Sequence, residues 1–136
     1  MAENVLVDAS FLVALINRRD TNHAWAGAQA LILPSPWQTC ESALSEALYT
    51  LGAPASRRLT DLIGRGAVTS SFHLADHVNE IVSLLRKYAD LPMSLADACL
   101  VRMTEILSDP ILLTTDHDFR IYRRHGRQVV PCVMPR

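Results

Sequence analysis

The sequence predicts an α/β domain, three layers deep, with a central, mostly parallel sheet of about four to five strands flanked by helices. Two patterns carry that expectation. Short β-prone runs (Val5-Leu6-Val7, Trp37-Gln38-Thr39, Val68 to Phe72, Ile111 to Thr114 and Val129-Val130) are separated by stretches whose apolar residues recur at helical spacing. Strands alternating with helices form parallel sheets, because each crossover helix buries its apolar stripe against the sheet. The first and fourth runs are also continuously apolar rather than alternating, as strands covered on both faces are.

Taken in order, Val5-Leu6-Val7 ends in Asp8, and Phe11-Leu12-Val13-Ala14-Leu15 continues at helical spacing, giving a helix from about Ser10 to Asn17. A second helix runs from about His23 to Leu33 and stops at Pro34-Ser35-Pro36. After the strand at Trp37, Thr39 is the expected N-cap of a helix from Cys40 to Leu51, which Gly52 ends. Pro54 and Ser56 open a further helix closed by Gly64 and Gly66. Asp76 to Tyr88 and Ser94 to Leu107 carry two more. One or two helical turns are expected from Asp118 to Arg124, with Val129-Val130 as the last strand, stopped by Pro131.

Composition narrows the class. The 136 residues are enough for one domain with a real core, so residues 1–136 are read as a single unit. A net charge of −1 excludes a protein that coats nucleic acid by bulk electrostatics, but it leaves room for a local basic patch. Cys40, Cys99 and Cys132 are odd in number and form no C-x-x-C pair, which argues for reduced thiols and a cytoplasmic location. The N-terminus has neither a basic region nor an apolar region of signal type, and no apolar run reaches membrane-spanning length.

Carboxylates gather where a parallel sheet would bring them together. Asp8 ends the first strand, Glu46 lies in the helix after the second, Asp97 opens a later helix, and Asp116 and Asp118 follow the fourth strand. The carboxyl ends of parallel strands share one edge, which is where ligands bind in open α/β sheets. Taken singly, most of these acids have a structural explanation: Asp8 could cap a helix, and Ser94-x-x-Asp97 and Thr115-x-x-Asp118 fit capping boxes. Glu46 does not, because it lies in the third turn of its helix and borders the stripe Ala43, Leu44, Ala47, Leu48 and Leu51. Glu41 lies about 140° around the same helix and belongs to its dipole end.

Clustered carboxylates push one another toward protonation unless a cation compensates them. An all-oxygen set points to Mg²⁺ or Mn²⁺ rather than Zn²⁺, and such a site suits phosphodiester hydrolysis.

The motifs Val7-Asp8-Ala9-Ser10, Leu44-Ser45-Glu46-Ala47-Leu48, Leu95-Ala96-Asp97-Ala98 and Leu113-Thr114-Thr115-Asp116-His117-Asp118-Phe119 occur in this order over nearly the whole chain. In that order the chain resembles a PIN domain, and more narrowly the VapC-like toxins of type II toxin–antitoxin systems. The resemblance implies a metal-dependent endoribonuclease that leaves a 5′-phosphate and a 3′-hydroxyl. It implies catalytic roles for Asp8, Glu46, Asp97 and Asp116, with Asp118 as a fifth member of the metal pocket, directly or through water, and leaves open whether Asp116 or Asp118 is the closer ligand. Ser10 and Thr115 would be supporting hydroxyls. The expected partners are RNA, a cognate antitoxin and a second copy of the chain. Ala9 stands where the family's Asp-Thr-Ser opening has a threonine, which removes one hydroxyl.

Arg120, Arg123 and Arg124, with His125 and Arg127, crowd the segment after the last acidic motif. They are read as an RNA-contacting rim, against the alternative of a solvated helix end. Two other functions share part of this pattern. A PIN fold without catalysis would bind RNA or protein, although no position of the acidic set is missing. A phosphoryl-transfer domain also begins with an aspartate after a central strand, but Ser10 stands where a phosphatase of haloacid-dehalogenase type has a second aspartate, and no lysine follows the late strand as it does in a receiver.

Overall fold

Leu6 and Val7 have no solvent exposure, and a strand buried on both faces belongs in the middle of a sheet. The computed structural model, which describes residues 2–136, places β1 (Asn4–Val7) there. It pairs in parallel with β2 (Trp37–Thr39) on one side and β4 (Pro110–Leu113) on the other. β3 (Val68–Ser70) extends the sheet beyond β2, and β7 (Cys132–Val133) extends it beyond β4. The order is β3-β2-β1-β4-β7, and all four pairings are parallel.

Six α-helices flank this sheet: α1 (Ala9–Ile16), α2 (His23–Ile32), α3 (Glu41–Leu51), α4 (Ser56–Gly64), α5 (Val78–Lys87) and α6 (Leu95–Ile106). The three-layer α/β architecture is the one the alternating pattern predicts. α6 is the most deeply set, with Ala96 to Val101, Met103 and Thr104 all buried. Phe11 of α1 receives the edges of Trp25 and Trp37, with ring centroids 6.0 and 5.5 Å away, so both tryptophans serve the core.

Three local expectations are corrected. Cys40, not Thr39, occupies the cap position of α3. Thr39 is fully buried, and its hydroxyl donates to the Val7 carbonyl across the β1–β2 pair. That cross-strand bond takes the hydroxyl a cap would need.

The segment after Asp116 makes only a short 3₁₀ turn (His117–Arg120) before β5 (Arg123–Arg124) pairs antiparallel with β6 (Gln128–Val129). His125 (φ 51°) and Gly126 (φ 80°) turn the chain between them. The fifth strand of the main sheet therefore comes after Pro131 rather than before it. A proline lacks the donor for a ladder bond and is tolerated at the start of an edge strand. Here its carbonyl still accepts the Leu112 N–H at 2.9 Å.

Candidate active site

Because every strand of the main sheet runs the same way, the chain leaves β1, β2 and β4 at one edge. Asp8 directly follows β1, α3 directly follows β2, and Thr114 to Asp118 directly follow β4. A cavity of about 400 Å³ opens at this edge, and Asp8, Ser10, Glu46, Asp97, Thr115, Asp116 and Asp118 all line it.

Asp8 forms the floor. It is 4% exposed, and both of its oxygens are held. The Ala9 N–H donates to Oδ1 at 2.8 Å, and the hydroxyls of Ser10 and Thr114 donate to Oδ2 at 3.0 and 2.8 Å. The same hydroxyls accept from the opposite loop: Ser10 Oγ takes the Thr115 N–H and Thr114 Oγ1 takes the Asp116 N–H, each at 3.0 Å. The loop after β4 is thus stitched to the end of β1 through two side chains. Thr115 contributes its N–H to this network, and the hydroxyl on Asp8 is that of Thr114.

Asp97 forms a wall. It closes a capping box with Ser94, whose Oγ accepts the Asp97 N–H at 3.0 Å. Its Oδ2 also accepts the hydroxyl of the fully buried Tyr122 at 2.9 Å. The capping role and the pocket position coexist, because a first-turn side chain can serve the helix end with one oxygen and leave the other free. Asp116 Oδ1 accepts the Asp118 N–H at 2.9 Å and caps the 3₁₀ turn. Glu46 stands at the exposed rim, whereas Glu41 does not line this cavity.

The carboxyl groups act on one another. Burial, opposed by the hydrogen bonds of Thr114, Ser10 and Ala9 and reinforced by the Asp97 charge, raises the Asp8 pKa to about 6. Glu46 is raised by desolvation, then by the charges of Asp97 and Asp116. Asp97 is raised by desolvation and by Asp116, against the hydrogen bonds from Tyr122 and Ser94. Burial and the neighbouring Asp97 also push the Tyr122 phenol up, so it stays a proton donor. Burial is the largest cause of each shift, and the neighbouring carboxylates add to it.

The donor set suits a hard cation: the cavity is lined by carboxylates and hydroxyls, with no His or Cys. Among the described residues, no group of three or more His, Cys, Asp or Glu is drawn together closely enough to hold a metal ion as it stands. Magnesium keeps several of its waters and binds through one or two carboxylates, so a hydrated ion fits this cavity where a tight protein chelate does not.

Arg120, Arg123 and Arg124 do not line the acidic cavity. Arg123 Nη1 donates to the carbonyls of Arg120, Ile121 and Tyr122, and Arg124 Nη1 donates to the Thr104 carbonyl. Two residues that the sequence reading did not place at the site do reach it. Asp20 lines the cavity from the loop after α1, where its Oδ1 accepts the Asn22 N–H. Tyr122 braces Asp97 from beneath. No periodicity marks either one, since Asp20 reads as a turn residue and Tyr122 as one apolar ring among others.

A parallel sheet whose carboxyl edge gathers acidic residues around a cavity defines an α/β domain with its binding site at the strand ends. The PIN domain family matches residues 5–124, and the chain belongs to that family. Among solved structures it is similar to Mycobacterium tuberculosis VapC20, described as a sarcin–ricin loop cleaving toxin. The TM-score is 0.71 at 23% sequence identity, over 85% of this chain and 92% of that one. That likeness is one of fold. No curated protein matches the chain in sequence. No helix among the described residues is long and apolar enough to cross a membrane.

Proposed function

We propose that this chain is a Mg²⁺- or Mn²⁺-dependent endoribonuclease, the toxin of a type II toxin–antitoxin pair, with Asp8, Glu46, Asp97 and Asp116 as its catalytic carboxylates. The observation that carries the reading is the convergence of Asp8, Glu46, Asp97, Asp116 and Asp118 on one cavity from four separate parts of a PIN fold. The fold shared with a toxin described as cleaving the sarcin–ricin loop supports the substrate class.

Asp8, Asp97, Asp116 and Asp118 are the residues that would hold the ion. A bound divalent cation would offset their charge, lower the pKa of a water molecule and screen the charge that builds on the phosphate. The chain's own groups set the geometry. Asp8 is fixed by three donors, so it presents one orientation to the cavity. Asp97 is fixed through Oδ2 by Tyr122, with Oδ1 taking no hydrogen bond from the described residues. Glu46 is raised above the ordinary carboxylate range by burial and two neighbouring charges, and it takes the proton of the attacking water. Asp116 and Asp118 both line the cavity, and either could be the closer ligand.

A cytoplasmic location fits an RNA substrate. The antitoxin and a second copy of the chain are its protein partners. Leu31, Ile32 and Tyr49, large apolar side chains left in the open on α2 and α3, offer them surface.

The test is cleavage of structured and unstructured RNA with Mn²⁺, with EDTA, and by D8N and D97N variants. Cleavage that needs Mn²⁺ and disappears in both variants while they remain folded supports the reading. Undiminished cleavage in EDTA or by D8N overturns it. RNA binding without cleavage would leave a binding module.

A further inference from the structure

Beside the acidic cavity lies a groove of about 520 Å³ whose rim carries Arg18, Arg57 and Arg58, over a floor that includes Ile16, Pro54 and Ala55. All three arginines are exposed. Among the described residues, the one ion pair is Arg102 with Glu105, so these three guanidinium groups have no carboxylate partner. Asp61 lies one turn away from Arg57 and Arg58 on α4 and pairs with neither.

The groove continues the cavity. Ser10 and Val13 of α1 line the cavity, and Ile16, one turn further along the same helix, lines the groove. Val13 to Ile16 is about 4.5 Å along the helix axis. Two other segments make the same passage: Asp20 lines the cavity and Arg18 the groove, and Thr50 lines the cavity and Pro54 the groove. The lining therefore passes from the acidic cavity to the arginine-bearing groove along three neighbouring segments.

We propose that Arg18, Arg57 and Arg58 form a phosphate track for single-stranded RNA leaving the acidic cavity, an assignment that rests on the ribonuclease reading. A phosphodiester held at the carboxylates is part of a strand that must continue away from them. The next phosphates then need cations, and this groove offers three without partners of their own. Guanidinium groups are suited to phosphate oxygens, since each presents paired donors in one plane. The apolar floor offers contact to sugars and bases without reading sequence. The arginines after the last acidic motif are not equivalent, because Arg123 and Arg124 already donate to backbone carbonyls.

The experiment is fluorescence anisotropy of a labelled single-stranded RNA in EDTA, so that binding is read without cleavage, across a series of salt concentrations. The proposal expects R18A/R57A/R58A to weaken binding about tenfold or more at low salt. It also expects the slope of log affinity against log salt to fall by about 2, the release expected for three phosphate contacts on a single strand. R86A, at an exposed arginine of α5, serves as the control and should change affinity less than about twofold, with melting temperatures alike in all variants. An unchanged affinity and slope in the triple variant overturn the track. So does an equal loss in R86A, or displacement of the RNA by polyglutamate as readily as by unlabelled RNA, which would assign the groove to an acidic protein partner. Binding that falls as expected in a protein that cuts no RNA with Mn²⁺ would uphold the track and reject the nuclease. Cleavage with unaltered binding would do the reverse.

Discussion

The Thr114 hydroxyl donates to Asp8 Oδ2 at 2.8 Å while accepting the Asp116 N–H at 3.0 Å, so one fully buried side chain joins two acids that are 108 positions apart in sequence. Thr114→Val keeps the shape and removes both bonds. It should cost about 1–3 kcal/mol in urea denaturation, because the Asp116 N–H and one lone pair of Asp8 lose their partner. RNA cleavage should fall at least about tenfold, and Thr114→Ser should restore most of it. Thr115→Val, at a hydroxyl with no such role, should stay within about 0.5 kcal/mol of wild type. A larger loss at Thr115 than at Thr114 would contradict this account.

Acidic pH should stabilise the cation-free protein. Asp8 titrates near 3.8 in the unfolded chain and at about 6 in the fold. Between those values the folded state keeps a proton that the unfolded state has released, so stability falls as pH rises through that window. Above it, the full difference of about 3 kcal/mol counts against the fold. Glu46 and Asp97 shift in the same direction. Thermal melts in EDTA should therefore rise from pH 7 to pH 5, and Asp8→Asn should flatten the trend. Added Mg²⁺ should raise the melting temperature more at pH 7 than at pH 5, since it binds the ionised form. A melting temperature that Mg²⁺ leaves unchanged at both pH values would argue against a cation site.

Tyr122→Phe isolates the brace beneath Asp97. The ring packs edge-on against Tyr88 and Phe119, with centroids 5.1 and 5.2 Å away, and phenylalanine preserves those contacts. Only the hydroxyl to Asp97 Oδ2 is lost, which should cost about 1–2 kcal/mol of stability. Calorimetric Mn²⁺ affinity should fall several-fold, and kcat should fall more than KM rises, because Asp97 Oδ2 then keeps only the longer bond from the Ser94 N–H. Equal Mn²⁺ affinity in the variant would reduce Tyr122 to a packing residue.

The parts legible in the sequence were those governed by local pattern. Continuous apolar runs marked β1 and β4, and helical spacing marked all six helices to within a few residues, because burial demands those patterns whatever the neighbours are. The acids at strand ends could be paired in thought because a parallel sheet has one carboxyl edge. What the sequence did not disclose depends on tertiary contact. Thr114 and Thr115 are adjacent and chemically alike, and only the twist of the chain after β4 decides which hydroxyl meets Asp8. The stretch from Asp118 to Arg124 has helical composition, yet it makes a 3₁₀ turn that buries Phe119 and Tyr122, and its last two residues pair with Gln128 and Val129 through a left-handed His125-Gly126 turn. Within the basic cluster at its end, sequence does not reveal that nearby carbonyls accept from Arg123 and Arg124.

That last point can be measured. Arg123 Nη1 lies 2.7–3.1 Å from three successive backbone carbonyls, and Arg124 Nη1 reaches the Thr104 carbonyl of α6. These bonds hold the turn after the acidic motif against the helix that carries Asp97. A charge-assisted bond at a partly buried position, such as that of Arg124 to the Thr104 carbonyl, is worth about 1.5–3 kcal/mol, and the exposed bonds of Arg123 to the Arg120 and Ile121 carbonyls are worth less. Arg123→Ala and Arg124→Ala should each lower the unfolding free energy measured in urea, Arg124→Ala by an amount in that range and Arg123→Ala by less, and their RNA affinity in EDTA should stay within about twofold of wild type. Their salt dependence should keep the wild-type slope, because no phosphate contact is removed. Loss of RNA affinity with stability intact would return these two arginines to the binding surface.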